Sequence, residues 1–346
     1  MTSKPIAYVM EQTLGNVTHY VNLRKEEATS PLNLPRWVPI EYQAGRVPWT
    51  ITGSLRARRA LRGMLDQIDG VFVHTTTLAP LAADYFGRVP AVLSTDGTPL
   101  NKRQMRGAYG LRPESPLTER AKQRLYQGIF ARAAGFVAWS NWAKQSFIDD
   151  YGCPEPAVTV IPPGIDVQQF AAGDRDHELP RILFVGGDFE RKGGQLLLDV
   201  FRRRLLGRAE LIIVTRSELA EEPGVRVHRN LQANSAALLS LYRTSDIFSL
   251  PTRADCYSLV CMEALAAELP IVSTRVGGIP DMIQEGRTGH LIDVDDSAAL
   301  ADRLEALVAD RSHRQGMGKL GRQWALQHFD ARQNARRLFE FVRSRC

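Results

Sequence analysis

The chain is poor in the features that mark several large classes of protein. Its 346 residues include only four cysteines, and Cys153, Cys256, Cys261 and Cys346 show no CxxC or Cys/His spacing. This scarcity argues against a structural zinc site and against a disulfide framework. We expect the cysteines at 256 and 261 to be small buried thiols with no redox role.

Long hydrophobic runs are absent as well. No apolar stretch is long enough to span a bilayer, and the opening residues, MTSKPIAYVMEQTLG, lack the apolar core of a signal peptide. The sequence therefore predicts a cytoplasmic protein. The stretch MEQTLGNVTH, which follows the first strand-like run, also lacks the GxGxxG pattern that a dinucleotide-dependent oxidoreductase needs.

Acidic residues are scarce in the first half of the chain. Residues 1–163 contain 19 Lys plus Arg against 13 Asp plus Glu, whereas residues 164–346 contain 25 of each. The excess lies in SLRARRALRGML and NKRQMRGAYGLR, and the first of these reads as a basic amphipathic helix. Such a helix either faces solvent or contacts an anionic membrane or acceptor. Aromatic residues do not interleave with these charges, so nucleic acid is not an expected partner.

Short apolar runs alternate with helical segments along almost the whole chain. This alternation predicts an α/β protein with two doubly wound parallel sheets. A stretch rich in proline, glycine and charge, residues 162–180, reads as a linker between two domains. The predicted boundaries are 1–163 and 164–328, followed by a helix at 329–346. The predicted strands lie in PIAYVM, RWVPIEY, GVFVHT, PAVLST, FVAWS, VTVIP, RILFV, ELIIVT, VRVHRN, DIFSL, PIVST and GHLIDV.

The segment TRADCYSLVCMEALAAELPIVSTRVGGIPDMIQEGRTGH, residues 252–290, carries the strongest functional signal. It follows a strand-like run, and Ser258 is placed to cap the next helix. The amides of Leu259 and Val260 at the start of that helix are suited to a phosphate or pyrophosphate. The residues predicted to form the buried stripe of this helix are Leu259, Met262, Ala266 and Leu269.

Two acids flank the start of the same helix, eight positions apart. Asp255 lies on the loop before it and can accept hydrogen bonds from sugar hydroxyls, while Glu263 lies deeper and suits a ribose. The structural alternative is a capping acid and a buried ion pair. A second loop, GGDFERKGG at 186–194, follows the run RILFV. Its glycines allow close backbone approach, and Arg191 or Lys192 can neutralise a diphosphate.

These motifs resemble those of the retaining glycosyltransferases of family 4, of the glycosyltransferase group 1 type. That family has a glutamate, seven residues, and a second glutamate, followed by a small-residue helix and a Gly-Gly loop; Asp255 and Glu263 match it with aspartate in first place. Its phosphate-binding loop carries an arginine just after the first glycine and a lysine five residues later. Lys192 matches the lysine, Gly187 stands in place of the arginine, and Arg191 is the proposed substitute.

The resemblance implies a GT-B fold, in which two Rossmann-like domains face a central cleft and the final helix, 329–346, can cross back to the first domain. It implies transfer of a sugar from a UDP- or GDP-linked donor to a hydroxyl acceptor held mainly by the first domain, with retention and without a metal ion. The other reading is a non-catalytic nucleotide-sugar-binding or scaffold protein of the same fold. The resemblance and the strand ends together give these expected site residues: catalytic Asp255, Lys192, Arg191 and His74; donor-binding Gly186, Gly187, Ser258, Leu259, Val260, Glu263 and Asn230; acceptor or cleft Gly15, Asn16 and Asp96.

Two further expectations concern loops. The run DVDD at 293–296 resembles a metal-binding DxD signature but precedes SAALADRLEALV, so we interpret it as a turn and a helix N-cap. Selection of the nucleotide base is expected in the loops near Thr215, Arg216 and Asn230.

Overall fold

The computed structural model describes residues 4–29 and 35–346. These residues form two compact units. The first unit contains the residues up to Gln104, Arg112–Gly164 and Ala331–Cys346; the second contains Met105–Leu111 and Ile165–Asp330. The end of the chain thus packs with the N-terminal unit.

A six-stranded parallel sheet lies at the centre of the first unit. Its strands run in the order β2-β1-β3-β4-β5-β6, so the strand order reverses beside β1. The strands are β1 (Ile6–Gln12), β2 (Pro35–Glu41), β3 (Gly70–His74), β4 (Ala91–Thr95), β5 (Gly135–Ala138) and β6 (Val158–Val160).

Helices cover both faces of this sheet, which explains why its central strands are apolar runs with few polar positions. The helices are α1 (Leu14–Lys25), α2 (Trp49–Arg62), α3 (Pro99–Gln104), α4 (Pro116–Phe130), α5 (Asn141–Asp149) and, from the end of the chain, α11 (Ala331–Arg345). On one face, Tyr8 and Phe72 pack with Leu338 and Phe339 of α11. Burial of these side chains ties the C-terminal helix to the first unit.

The second unit repeats the architecture. Its parallel sheet has the order β12-β11-β10-β7-β8-β9, and the order reverses between β7 and β10. The strands are β7 (Arg181–Val185), β8 (Glu210–Thr215), β9 (Val225–Arg229), β10 (Ile247–Leu250), β11 (Ile271–Thr274) and β12 (Gly289–Ile292). The helices are α6 (Gly194–Val200), α7 (Ala236–Thr244), α8 (Leu259–Ala266), α9 (Ser297–Ala309) and α10 (Arg311–His328).

All twelve predicted strands are present, and the prediction of two doubly wound parallel sheets is confirmed. The prediction for α8 was wrong in one respect. The helix is buried on all sides from Cys261 to Ala266, and it ends before Leu269. Glu268 takes a left-handed φ of 59°, and the amide of Leu269 donates to the carbonyl of Ala264, which closes the helix as in a Schellman motif.

Among the described residues, no helix is both long and apolar enough to cross a membrane.

Candidate functional site

The candidate site lies at the carboxyl ends of β7 and β10, where the strand order of the second sheet reverses. Ligands of open α/β sheets bind at such switch points. Two loops leave the sheet there: residues 186–193 connect β7 to α6, and residues 251–258 connect β10 to α8. Both predicted motifs therefore lie at one edge of one sheet.

Two glycines allow neighbouring loops to pack in close contact. Gly193 has a φ of +76°, and a Cβ on it would lie 1.9 Å from the carbonyl oxygen of Pro251. Gly277 has a φ of +56°, and a Cβ there would lie 2.1 Å from the carbonyl oxygen of Asp255. Only glycine accepts both the conformation and the close approach. These contacts fix the backbone on either side of Asp255.

The side chains of Lys192 and Asp255 form an ion pair. The lysine is 15% exposed and the aspartate 11% exposed, so the pair is largely withdrawn from water. The structure brings together the cation predicted to meet a diphosphate and the acid predicted to meet a sugar. A pair of this kind holds both side chains in fixed positions at the carboxyl ends of β7 and β10.

Arg191 is held by other partners. Its Nε donates to a carboxylate oxygen of Asp188 at 3.0 Å, and one terminal nitrogen donates to the carbonyl oxygen of Ala254 at 2.7 Å. Its guanidinium carbon also lies 4.6 Å from the ring centroid of Tyr109. Arg191 thus joins the two loops and supports the backbone beside Asp255.

The first glycines of the β7 loop lie against bulky neighbours. A Cβ on Gly186 would lie 2.8 Å from the ring of Phe184, and one on Gly187 would lie 2.8 Å from Nε of Arg216. The amide of Gly186 donates to the carbonyl oxygen of Val214 at 2.9 Å, which holds the loop to β8. No side chain fits at either glycine without displacing a neighbour.

Ser258 stands at the N-cap position of α8, as predicted, but its hydroxyl makes no capping hydrogen bond. The amides of Leu259 and Val260 follow in the first turn, where helix geometry leaves amides without an intrahelical acceptor. Asn230 directly follows β9 and has a φ of 60°, and its amide donates to the carbonyl oxygen of Thr215 at 3.3 Å. It lies at the same carboxyl edge of the sheet.

Glu263 is buried, with 5% of its surface exposed. The hydroxyl of Tyr242, on α7, donates to Oε2 of Glu263 at 2.7 Å. Burial raises the pKa of Glu263 to about 7, and the hydrogen bond from Tyr242 opposes that rise. Because this partner is a neutral hydroxyl, Glu263 forms no ion pair with it; of the two acids, Asp255 is the one in a largely buried ion pair, as the structural alternative expected.

Two of the residues predicted in the first unit, His74 and Asn16, are in contact with each other. Nε2 of His74 lies 3.1 Å from Oδ1 of Asn16, and Nδ1 lies 3.1 Å from the hydroxyl of Ser94. The imidazole is fully buried, and burial lowers the pKa of His74 to about 3. Its ring also stacks on Trp139 at a centroid distance of 4.9 Å. A fully buried imidazole with a hydrogen-bond partner at each nitrogen fits a structural histidine better than the catalytic role expected for His74.

The remaining predictions fall on turns and caps. Gly15 is exposed in the first turn of α1. Asp96 pairs with Lys102 at 3.0 Å. Asp296 caps α9 by accepting from the amide of Ala299 at 2.9 Å, so the prediction of an N-cap in DVDD is confirmed.

Sequence reasoning missed Tyr242 and the placement of Arg216. Tyr242 is an apolar-face residue of α7 in the sequence pattern, and nothing there connects it to an acid 21 positions later. Arg216 did carry a signal, because it directly follows β8 at the carboxyl edge of the sheet.

Two doubly wound parallel-sheet domains in one chain are the architecture of the GT-B class of glycosyltransferases. Solved structures agree on the fold. Sucrose-phosphate synthase from Thermosynechococcus elongatus superposes with a TM-score of 0.77 at 16% identity, over 99% of this chain and 98% of that one. Anabaena HepE in complex with UDP gives a TM-score of 0.77 at 15% identity, over 98% of this chain and 100% of that one.

The model for "Glycosyltransferase Family 4" matches residues 17–169, and the model for "Glycosyl transferases group 1" matches residues 179–310. The chain belongs to the family 4 glycosyltransferases of the group 1 type, and the predicted resemblance is confirmed.

Curated relatives are similar over part of their length. The D-inositol 3-phosphate glycosyltransferase of Paenarthrobacter aurescens is 30% identical over 61% of this chain and 57% of its own length. The GDP-mannose-dependent alpha-(1-6)-phosphatidylinositol monomannoside mannosyltransferase of Mycolicibacterium smegmatis is 28% identical over 66% of each. The chain thus spans between half and two thirds of the curated relatives that it matches.

Proposed function

We propose that this protein transfers a sugar from a UDP- or GDP-linked donor to a hydroxyl acceptor with retention of configuration. The observation that carries the proposal is the pairing of Lys192 with Asp255 at the switch point of the second sheet, three residues before the N-cap of α8. One position offers a cation for a phosphate and an acid for sugar hydroxyls. The names of the relatives, which include a GDP-mannose-dependent enzyme, support a nucleotide sugar as donor.

In this proposal the donor diphosphate contacts Lys192 and the amides of Leu259 and Val260. Unpaired amides and the positive end of the helix dipole favour a phosphate there. Glu263 accepts hydrogen bonds from the ribose hydroxyls through the oxygen that Tyr242 does not bind. Asp255 accepts hydrogen bonds from the transferred sugar, and Arg191 positions the Asp255 loop through the carbonyl of Ala254.

The reaction breaks the bond between the anomeric carbon and a diphosphate oxygen. The acceptor oxygen forms a new bond to that carbon on the same face, and its proton passes to the leaving phosphate oxygen. Negative charge grows on the diphosphate during this step, and fixed cations and amides lower its energy. No side chain is required as a covalent nucleophile.

We assign the acceptor to the first unit. The relatives named above act on an inositol phosphate and on a phosphatidylinositol mannoside. An anionic acceptor suits the basic excess of the first half of this chain. A glycan or a small polyol phosphate also offers the hydroxyl group that the reaction requires.

Peripheral contact with an anionic membrane belongs to the same proposal. The outer face of α4 exposes Leu117 by 77% and Leu125 by 53%, and Arg120 and Arg124 are exposed on this helix. Glu119, the acid of α4, is partly buried and pairs with Arg103 at 2.9 Å. Exposed leucines beside arginines are the pattern that binds anionic lipid. We expect Arg124→Glu to weaken sedimentation with phosphatidylglycerol vesicles, while neutral phosphatidylcholine vesicles bind neither protein.

The proposal is tested by release of UDP or GDP from a panel of nucleotide sugars, with and without inositol phosphates and lipid extracts as acceptors. We expect release with one donor, and a loss of about 100-fold or more in Lys192→Ala. Arg226→Ala is the matched control, because this arginine pairs with Glu210 at the start of β8. Tight donor binding without release under any condition would favour the non-catalytic alternative.

A further inference from the structure

Arg216 directly follows β8, the strand that lies beside β7 in the second sheet. Its Nε lies 3.4 Å from the carbonyl oxygen of Gly187, in the loop after β7. A Cβ on Gly187 would lie 2.8 Å from this Nε and 3.1 Å from a terminal nitrogen of the same guanidinium. The guanidinium of Arg216 therefore fills the space that a side chain at position 187 would occupy.

The two cations of the loop after β7 are each paired with a carboxylate that offsets their charge. Lys192 pairs with Asp255, and Arg191 pairs with Asp188 at 3.0 Å. Arg216 has no carboxylate partner within the described ranges, and its one hydrogen bond is the contact with Gly187. The net positive charge at this edge of the loop therefore resides on Arg216.

A diphosphate carries more negative charge than one neutralised lysine can offset. A guanidinium presents a planar fork of donors that matches two phosphate oxygens. We infer that Arg216 binds the diphosphate of the donor, with Gly187 kept small so that the guanidinium can lie over the loop. The inference rests on the proposed function and differs from the expectation drawn from the sequence, which gave this role to Arg191 and placed Arg216 near the base.

The inference is tested by titration calorimetry with UDP and GDP, and with uridine and guanosine as probes that lack phosphate. The proteins are the parent chain, Arg216→Ala and the control Arg226→Ala. We expect Arg216→Ala to weaken binding of the preferred diphosphate about tenfold or more, and to change binding of the matching nucleoside less than twofold. The loss should shrink at high salt, because an exposed charge is screened. Arg226→Ala should bind as the parent does.

A relocation variant sharpens the test. Gly187→Arg combined with Arg216→Gly moves the guanidinium from the end of β8 to the adjoining loop and removes the clash at Gly187. We expect this double variant to bind the diphosphate within about threefold of the parent. Gly187→Arg alone should bind less well than the double variant, because two guanidinium groups then compete for one space.

Three outcomes would overturn the inference. In the first, Arg216→Ala binds the diphosphate as tightly as the parent, and the proposed function then stands without this residue. In the second, the diphosphate and the nucleoside weaken equally, which assigns Arg216 to the base. In the third, the parent binds none of the nucleotides, and the proposed function fails with the inference. Circular dichroism of each variant verifies that it is folded.

Discussion

The hydroxyl of Tyr242 donates a hydrogen bond to Oε2 of Glu263 at 2.7 Å, and both side chains are buried in the second unit. The tyrosine ring is itself held between Phe170 and Phe248, at centroid distances of 5.4 Å and 6.1 Å. No other described residue donates a hydrogen bond to this carboxylate. Burial raises the pKa of Glu263 to about 7, and the hydrogen bond from Tyr242 favours the charged form and opposes that rise.

Tyr242→Phe should therefore shift the pH dependence of donor binding. Ribose hydroxyls donate to an ionised carboxylate, so affinity rises as pH increases through the pKa of Glu263. Loss of the tyrosine hydroxyl removes a hydrogen bond to the charged form and raises that pKa. We expect affinity for UDP or GDP to fall about tenfold at pH 7 and less than twofold at pH 9. Calorimetric titration across this range measures the shift.

Two controls accompany this variant. Tyr8→Phe also removes a buried hydroxyl, one without a hydrogen-bond partner among the described residues, and should bind nucleotide as the parent does. Nucleotides with a 2′,3′-dideoxyribose should bind the parent and Tyr242→Phe equally well. If Tyr242→Phe loses the same affinity for these analogues, the tyrosine acts on the fold and not through the ribose contact.

Lys192→Ala should lower stability as well as activity. It leaves the Asp255 carboxylate, 11% exposed, without its cation. We expect a loss of about 1–2 kcal/mol in the free energy of unfolding, less than for a fully buried pair. The double variant Lys192→Ala/Asp255→Asn should regain most of that stability and remain inactive. The single variant Asp255→Asn completes the cycle, and urea denaturation measures the unfolding free energy of the parent and the three variants. Additive losses would mean that the two residues do not interact.

Gly193→Ala and Gly207→Ala form a matched pair. Both glycines have a φ near +77°, but a Cβ at 193 would lie 1.9 Å from the carbonyl oxygen of Pro251, whereas a Cβ at 207 meets no atom within 4 Å. Gly207→Ala should lower the free energy of unfolding by about 1 kcal/mol, from backbone strain alone. Gly193→Ala should cost about 3 kcal/mol or more, because the two loops must separate. If urea denaturation gives the same loss of unfolding free energy for both variants, the loops adjust to the added methyl group at position 193 at no extra cost.

Two buried histidines predict a loss of stability in acid. Burial lowers the pKa of His74 to about 3 and that of His19 well below its usual value. Repulsion from Lys102 adds to the lowering of the pKa of His74, and repulsion from His74 adds to that of His19. The folded protein keeps both imidazole rings neutral, whereas in the unfolded chain the same two histidines take up protons below about pH 6.5. The stability that they contribute is complete above that pH and declines as pH falls towards 3.

The measurement is the free energy of unfolding at pH 7, 6, 5 and 4. We expect a fall of about 1.4 kcal/mol per pH unit for each histidine below pH 6. His19→Leu should remove one titrating group and make the fall in unfolding free energy with decreasing pH less steep. The substitution breaks no hydrogen bond of the ring, since neither nitrogen of His19 has a partner within the described residues. A profile as steep as that of the parent would assign the acid sensitivity to carboxylates.

Turnover should not depend on a divalent metal. In the proposed reaction, side-chain cations and helix amides stabilise the leaving diphosphate, so we expect activity to survive excess EDTA with less than a twofold change. Addition of magnesium or manganese after dialysis should not restore or raise it. A strict requirement for either ion would place a metal on the diphosphate and reduce the role proposed for Lys192.

The sequence by itself determined the positions of the strands and of the two loops that carry Lys192 and Asp255. Strand and helix patterns depend on local alternation of apolar residues, so twelve strands and the N-cap at Asp296 could be read directly. The loops of Lys192 and Asp255 could be placed at one sheet edge, because each follows a strand of a parallel sheet.

The tertiary structure decided which side chains meet. Tyr242 reaches Glu263 across 21 positions, Arg216 reaches Gly187 across 29, and Lys192 reaches Asp255 across 63. It also buried α8 on every side from Cys261 to Ala266, and it buried His74 completely. These outcomes depend on strand order and on how helices cover the sheet, and no local periodicity encodes a contact between residues so far apart in the chain.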